Sequence, residues 1–289
     1  MFGVSPAYFL SLFSPDFTLL QVREQLPAIS ALGFSHLELE TFTRDQLQQW
    51  GPEEAEKTAA ALESLDLQVS QFVCHHLLKH FSDPRSFNDP DLFSDFGRIV
   101  KIVSAHRFCG VLTLPQPQVY TGKDLHLHEY RKIRRTYLDS LSRLLDIAGG
   151  ASLTLALEVM PGSFVGNSDG FLSIADTLGA QHLGFNFDTG HAWACKEAVA
   201  LIPLKLGSRI ACTHLSDNYG HENLSNAPGR GTVPWQEVMR NLHTAGYSGP
   251  YDIEIRCDEG EVSVEYSSAR QFLNSLLEEV LEVHHAAQS

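Results

Sequence analysis

Four short stretches carry the side chains best suited to chemistry: LEVMP with Glu158, NFDTGH with Asp188, THLSDN with His214 and DIEIR with Glu254. Three of them close runs in which bulky and small residues alternate, the pattern of a β-strand whose two faces meet different surroundings. In LGFNFD, Leu183, Phe185 and Phe187 share one face, and Gly184, Asn186 and Asp188 the other. Leu153, Leu155, Leu157 and Val159 likewise oppose Thr154, Ala156 and Glu158, and Tyr251, Ile253 and Ile255 oppose Asp252, Glu254 and Arg256. His214 shares its parity with Ile210 and Cys212, a less clean division. Three carboxylates gathered at one mouth would repel one another and lose hydration unless a cation neutralised them. Three acid oxygens and one imidazole suit one divalent ion, Mn, Co, Mg or Zn, and ligand type alone does not choose among these.

Each residue also has a plainer reading. Asp188, followed by Thr-Gly-His, could simply cap a helix. Glu158 and Glu254 could be ion-paired core acids, and His214 a hydrogen-bonded core residue. What favours a joint site is that all four fall at equivalent strand ends. The chain holds 14 histidines, so pairs such as His75-His76, His126/His128 and His284-His285 carry little weight by themselves. His75, just beyond the third strand, is within reach of the site. Pro228-Gly229-Arg230-Gly231 reads as a turn, and its Arg230 is a candidate for contact with a substrate oxygen, as is Arg256.

The elements that must position these residues alternate along the chain. The strand candidates are FGVSP, SHLELE, LQVSQFVCH, FCGVLTLP, LTLALEVMP, LGFNFDTGH, RIACTHLSD and YDIEIR. Segments of helical period separate them. The first starts near Thr18, carries Leu19, Val22, Leu26, Ile29 and Leu32 at helical spacing, and stops at Gly33. Others end near Gly149-Gly150, Gly179, Gly207 and Gly246, and Pro52 and Pro234 stand where a first helical residue belongs. Eight strand-helix units in 289 residues predict an α/β protein that is a single (β/α)8 TIM barrel, one domain over residues 1–289. An open doubly wound sheet would want a glycine-rich phosphate loop after its first strand, and FGVSPAYF has none. The longest connections follow the third, fourth and seventh strands, on the face where a barrel builds its site.

Composition excludes several classes. With a formal net charge of −14, the surface as a whole repels phosphate backbones, so no nucleic-acid partner is expected. No apolar run approaches the roughly 20 residues of a membrane span, and the N-terminal stretch has no basic leader. Cys74, Cys109, Cys195, Cys212 and Cys257 are odd in number and never spaced as CxxC, which points to a cytoplasmic protein without a disulfide framework or thiolate zinc site.

Taken together, LEVMP, NFDTGH, THLSDN, the PGRGTVPW turn and GPYDIEIR resemble the xylose isomerase-like TIM barrels. More closely they are similar to the sugar phosphate isomerase/epimerase group, which includes ketose 3-epimerases, inosose dehydratases and the endonuclease IV branch. The resemblance is strong in the second half of the chain and rests on element order in the first. It implies that Glu158, Asp188, His214 and Glu254 bind one divalent cation and that His191 contacts substrate. It further implies a metal-dependent isomerase or epimerase acting on a sugar, sugar phosphate or related hydroxy-ketone through an enediolate, with Glu158 and Glu254 as acid and base. A cyclitol (inosose-type) dehydratase using the same site is the alternative, and a non-catalytic binding barrel is a further one. The expected partner is a small-molecule carbohydrate or cyclitol, and related barrels are often homo-oligomers. Two departures narrow the choice. Asn223 and Ser225 stand where the nuclease branch has an acid and a His, and Leu114-Pro115 where it has a His. Ser225 also replaces the substrate-binding Arg of ketose 3-epimerases.

Overall fold

A computed structural model describes residues 1–121 and 127–288. Its eight parallel strands are β1 (Phe2–Val4), β2 (His36–Glu40), β3 (Gln68–Val73), β4 (Val111–Gln116), β5 (Thr154–Val159), β6 (Leu183–Asp188), β7 (Ile210–His214) and β8 (Tyr251–Ile253). They run in the order β7-β6-β5-β4-β3-β2-β1-β8. A Leu215–Ile253 bridge, with Leu215 N donating to Asp252 O at 2.8 Å, draws β7 onto β8. The chain is therefore a single (β/α)8 TIM barrel, as its sequence predicts. Part of the connection after β4, including His126, lies outside the described residues.

Parity explains the walls. Leu155, Leu157, Phe185 and Phe187 are buried against the helical layer, where Phe185 meets Phe171 edge-on at 5.0 Å between ring centres. The untidy parity of β7 has a local cause. Phe185 pairs with Ile210 but Asn186 with Cys212, so Ala211 is an extra residue, a bulge that flips the alternation. Ile210 thereby joins the outer face, while Cys212 and His214 join the face of Asn186 and Asp188. Gly184 gives the bulge its room, since a Cβ there would lie 2.7 Å from that of Ala211. A second irregularity, between Leu37/Leu39 and Val69/Phe72, sets Gln71 of β3 beside Glu38 of β2.

Helix boundaries follow local chemistry. Thr18 caps the helix Leu19–Ala31 in a reciprocal box with Gln21, and Asn167 caps Ser168–Leu178, which stops at Gly179 with φ +59°. Pro52 is the first residue of its helix. Pro234 stands one place earlier than expected, as the cap of Trp235–Thr244. The six-residue helix Ala7–Leu12 after β1 is too short to show a period in sequence.

The connection after β7 is folded around one buried carboxylate. Asp217 Oδ1 accepts from the backbone N–H of Asn218 (2.9 Å) and Val233 (3.0 Å). Its Oδ2 accepts from Gly229 N (3.0 Å) and the Trp235 indole (2.8 Å). The PGRG turn is thus tied to the end of β7 by charge-assisted bonds. Asp217→Ala strands these donors in a water-poor site and is expected to lower unfolding stability by about 3 kcal/mol, read as a fall in the urea midpoint at unchanged slope. A shift within experimental error would show that the turn does not depend on Asp217.

Candidate active site

The axis-facing residues of the barrel build upward in layers. At the lower level Gln71 donates to Glu38 Oε1 (3.0 Å) and accepts from Thr113. Asn186 Nδ2 lies 3.4 Å from Gln71 Oε1 and 3.3 Å from His214 Nε2. Glu38 Oε2 then meets His214 Nε2 at 3.0 Å. This fixes the ring, so that Nδ1 faces upward: 3.0 Å from Glu158 Oε1, 3.8 Å from Asp188 Oδ2 and 3.9 Å from Glu254 Oε1.

One donor atom from each of Glu158, Asp188, His214 and Glu254 lies within 4.8 Å of the others. Asp188 caps a helix and also stands in the cluster. Its Oδ1 caps the short helix Thr189–Ala194 by accepting from His191 N at 2.7 Å, while its buried Oδ2 has no hydrogen-bond partner among the described residues. A buried carboxylate oxygen without a hydrogen bond, facing two more carboxylates and an imidazole nitrogen, fits a divalent cation. The His214 ring held by a carboxylate on its other nitrogen is the usual arrangement behind a metal-ligating histidine.

Electrostatics show the strain of this gathering. Burial raises Glu254 to about 8, with the Asp188 and Glu158 charges adding to the rise against the pull of His214. Burial, with help from Glu158, raises Asp188 to about 7, and burial raises Glu38 to about 7 against His214. Glu158 is also penalised by burial, but His214, His191 and His75 outweigh that and hold it low, at about 2. Burial works against charge on His214, yet Glu38, Glu158 and Glu254 drive it well above the ordinary histidine range. Free of metal, burial and mutual repulsion push Glu254 and Asp188 toward their protonated forms where a cation could sit.

Around it stand the other expected residues. His191 Nε2 is 3.6 Å from Asp188 Oδ2 and 3.8 Å from Glu158 Oε1, and its Nδ1 is 3.3 Å from Asn223 Nδ2. Gly190 allows this close approach, because a Cβ would lie 2.3 Å from Ser216 Oγ. His75, just past β3, lies 3.1 Å from Glu40 Oε1. Arg230 is ion-paired with Glu265 at 2.9 Å, and exposed Arg256 donates its backbone N–H to Ser225 O. Both arginines line a separate groove with Tyr219, Asp258 and Glu261. Sequence reasoning passed over Glu38, Glu40, Gln71 and Asn186. The available signal was HLELE, which puts two acids on one face between buried leucines.

A parallel barrel with carboxylates and a histidine at the carboxyl ends of β5 to β8 defines the class: TIM barrels equipped for chemistry at one mouth. The chain belongs to the xylose isomerase-like TIM barrel family, whose profile matches residues 26–276. It is 23% identical over 97% of its length, and 91% of the relative's, to a D-psicose 3-epimerase of Enterocloster bolteae. It is 27% identical to the L-ribulose-5-phosphate 3-epimerase UlaE of Escherichia coli over 53% of this chain and 55% of that enzyme, so the chain spans about half the length of that relative. Its fold matches the crystal structure of the IOLI protein with a bound zinc atom at a TM-score of 0.71 and 15% identity, covering 96% of this chain and 97% of that one.

Because His214 is raised, it should remain an imidazolium at pH 7.5 in chelator-treated protein, with both ring nitrogens protonated in 15N NMR spectra. Glu38→Gln removes one of the charges that hold the proton, so the titration of His214 moves to lower pH. An unmoved titration would show that Glu38 does not govern this ring.

Proposed function

We propose that the chain is a divalent-metal-dependent epimerase or isomerase of a sugar, sugar phosphate or related hydroxy-ketone. The reading is supported above all by the convergence of Glu158, Glu254 and His214 Nδ1 on the buried Asp188 Oδ2, which has no hydrogen bond among the described residues. Glu158, Asp188, His214 and Glu254 would hold the ion. A divalent cation there supplies Lewis-acid polarisation of a substrate carbonyl and its neighbouring hydroxyl.

The remaining work falls to the protein. Glu158 on β5 and Glu254 just past β8 approach the mouth from different strands, so one carboxylate removes the carbon-bound proton and the other returns one. Return to the opposite face of the same carbon inverts it; return to the neighbouring carbon interconverts ketose and aldose. Two relatives named as ketose or ketose-phosphate 3-epimerases favour the first outcome. His191, between Asn223 and the cluster, would donate to a substrate oxygen, with His75 on the β3 side. Arg230 and Arg256 would meet whatever part of the substrate extends into their groove. Helix packing around one mouth fits a single domain across residues 1–289. Five free cysteines fit the reducing cytoplasm, and among the described residues no helix is long and apolar enough to cross a membrane.

The test is exchange of the carbon-bound proton, which isomerisation and epimerisation share. Ketopentoses and ketohexoses, free and phosphorylated, are incubated in D2O with Mn2+ and followed by 1H NMR. At least one should lose a C–H signal, and Glu158→Gln and Glu254→Gln should each slow the loss about a hundredfold or more. Exchange at wild-type rate in both variants would overturn their roles.

A further inference from the structure

The mouth holds a polar pair, Glu40 and His75, that takes no part in the proposed proton transfer. Glu40 ends β2 on the same face as Glu38, one layer nearer the carboxyl end of the barrel. Its side chain is 3% exposed, and among the described residues its buried Oε2 has no hydrogen-bond partner. Its Oε1 lies 3.1 Å from His75 Nδ1. The His75 ring is stacked on Phe42 at 4.1 Å between centres and 24° between planes, so its position is set from two sides. The ring remains 31% exposed, and it lies close enough to Glu158 and Glu254 to feel both charges.

A buried carboxylate oxygen without a donor is costly unless something supplies one. No side chain among the described residues does. Packing alone would be served better by an apolar residue at position 40, as at Leu37 and Leu39 on the other face. An acceptor at the mouth, beside an exposed imidazole that can donate or accept, matches a hydroxyl group, which does both. A phosphate offers only acceptors near neutrality and would be repelled by Glu40.

We propose that Glu40 and His75 form a second substrate subsite, which grips a hydroxyl on an uncharged carbon of the substrate beyond the carbons that react. This rests on the reading of the chain as a sugar-converting enzyme and narrows its substrate: the part lying along β2 and β3 is a neutral polyol segment, not a phosphate ester. Glu40 and His75 are then specificity-determining residues. They select among hydroxy-ketones and take no part in proton transfer.

The test separates this claim from the parent reading by measuring binding instead of turnover. Isothermal titration with D-psicose and with D-psicose 6-phosphate, at saturating Mn2+ and in chelator, gives the preference of wild-type protein. Glu40→Gln keeps size and removes charge; His75→Phe keeps the stack on Phe42 and removes the polar edge. Wild type should bind the neutral ketose more tightly than its ester, and each variant should weaken the neutral ketose about tenfold. In Glu40→Gln the preference for the neutral ketose should shrink as the repulsion is relieved. Mn2+ affinity should be unchanged in both variants, and thermal midpoints should confirm that both fold. Unchanged ketose affinity in both variants, preference for the ester in wild type, no binding of either sugar, or loss of Mn2+ affinity in Glu40→Gln would each overturn the subsite. If wild-type protein binds no Mn2+ but ketose binding still responds to both substitutions, the subsite stands and the metal-dependent reading falls.

Discussion

Glu158, Asp188 and Glu254 converge on His214 Nδ1 in a space where water is too scarce to screen them, and much of the molecule is arranged around that convergence. Like charges at this separation cannot all remain ionised without a compensating cation. Three local features answer this: the surrounding carboxylates drive the His214 pKa up, burial drives those of Glu254 and Asp188 up, and Glu38 stands behind the imidazole to keep it oriented. The third ties the cluster to the barrel floor, since Glu38 is in turn held by Gln71, and Gln71 by Thr113. The floor is polar for this reason, in a fold whose interior is otherwise filled by apolar layers.

Asp188 illustrates how backbone and chemistry share one side chain. Capping of Thr189–Ala194 orients the carboxylate through Oδ1 and leaves Oδ2 no freedom to turn toward water. The same cap brings His191 over the cluster, and the absence of a side chain at Gly190 allows the helix to sit against Ser216 and Asn223. Asp217 acts similarly one layer out, holding the long connection after β7 so that its turn covers the barrel rim.

Strand parity made much of this legible in advance. Bulky residues alternating with Glu158, Asp188 and Glu254 located three of the four cluster members and the barrel itself, because period-two burial is written directly into sequence. His214 obeyed the rule only after the Ala211 bulge, a register event that depends on how β6 and β7 pair and leaves no mark in β7 alone. Glu38 and Glu40 sat in plain view in HLELE, but an acid on a strand shows its role only once its cross-barrel partner is known. Arg230 and Arg256 were candidates by charge alone. Their groove and the Glu265 ion pair come from the packing of the final helix, Val262–Gln288, against the rim, a long-range fact no local pattern carries.

Whether the cluster exists to bind a cation is decided by elemental analysis of purified protein by plasma mass spectrometry. Wild-type protein should carry about one Mn, Co, Mg or Zn per chain after reloading and desalting, and Glu158→Gln clearly less. Wild-type protein that retains no divalent metal after reloading would rule out a cation site, leaving the buried acids as proton-sharing elements of the barrel core.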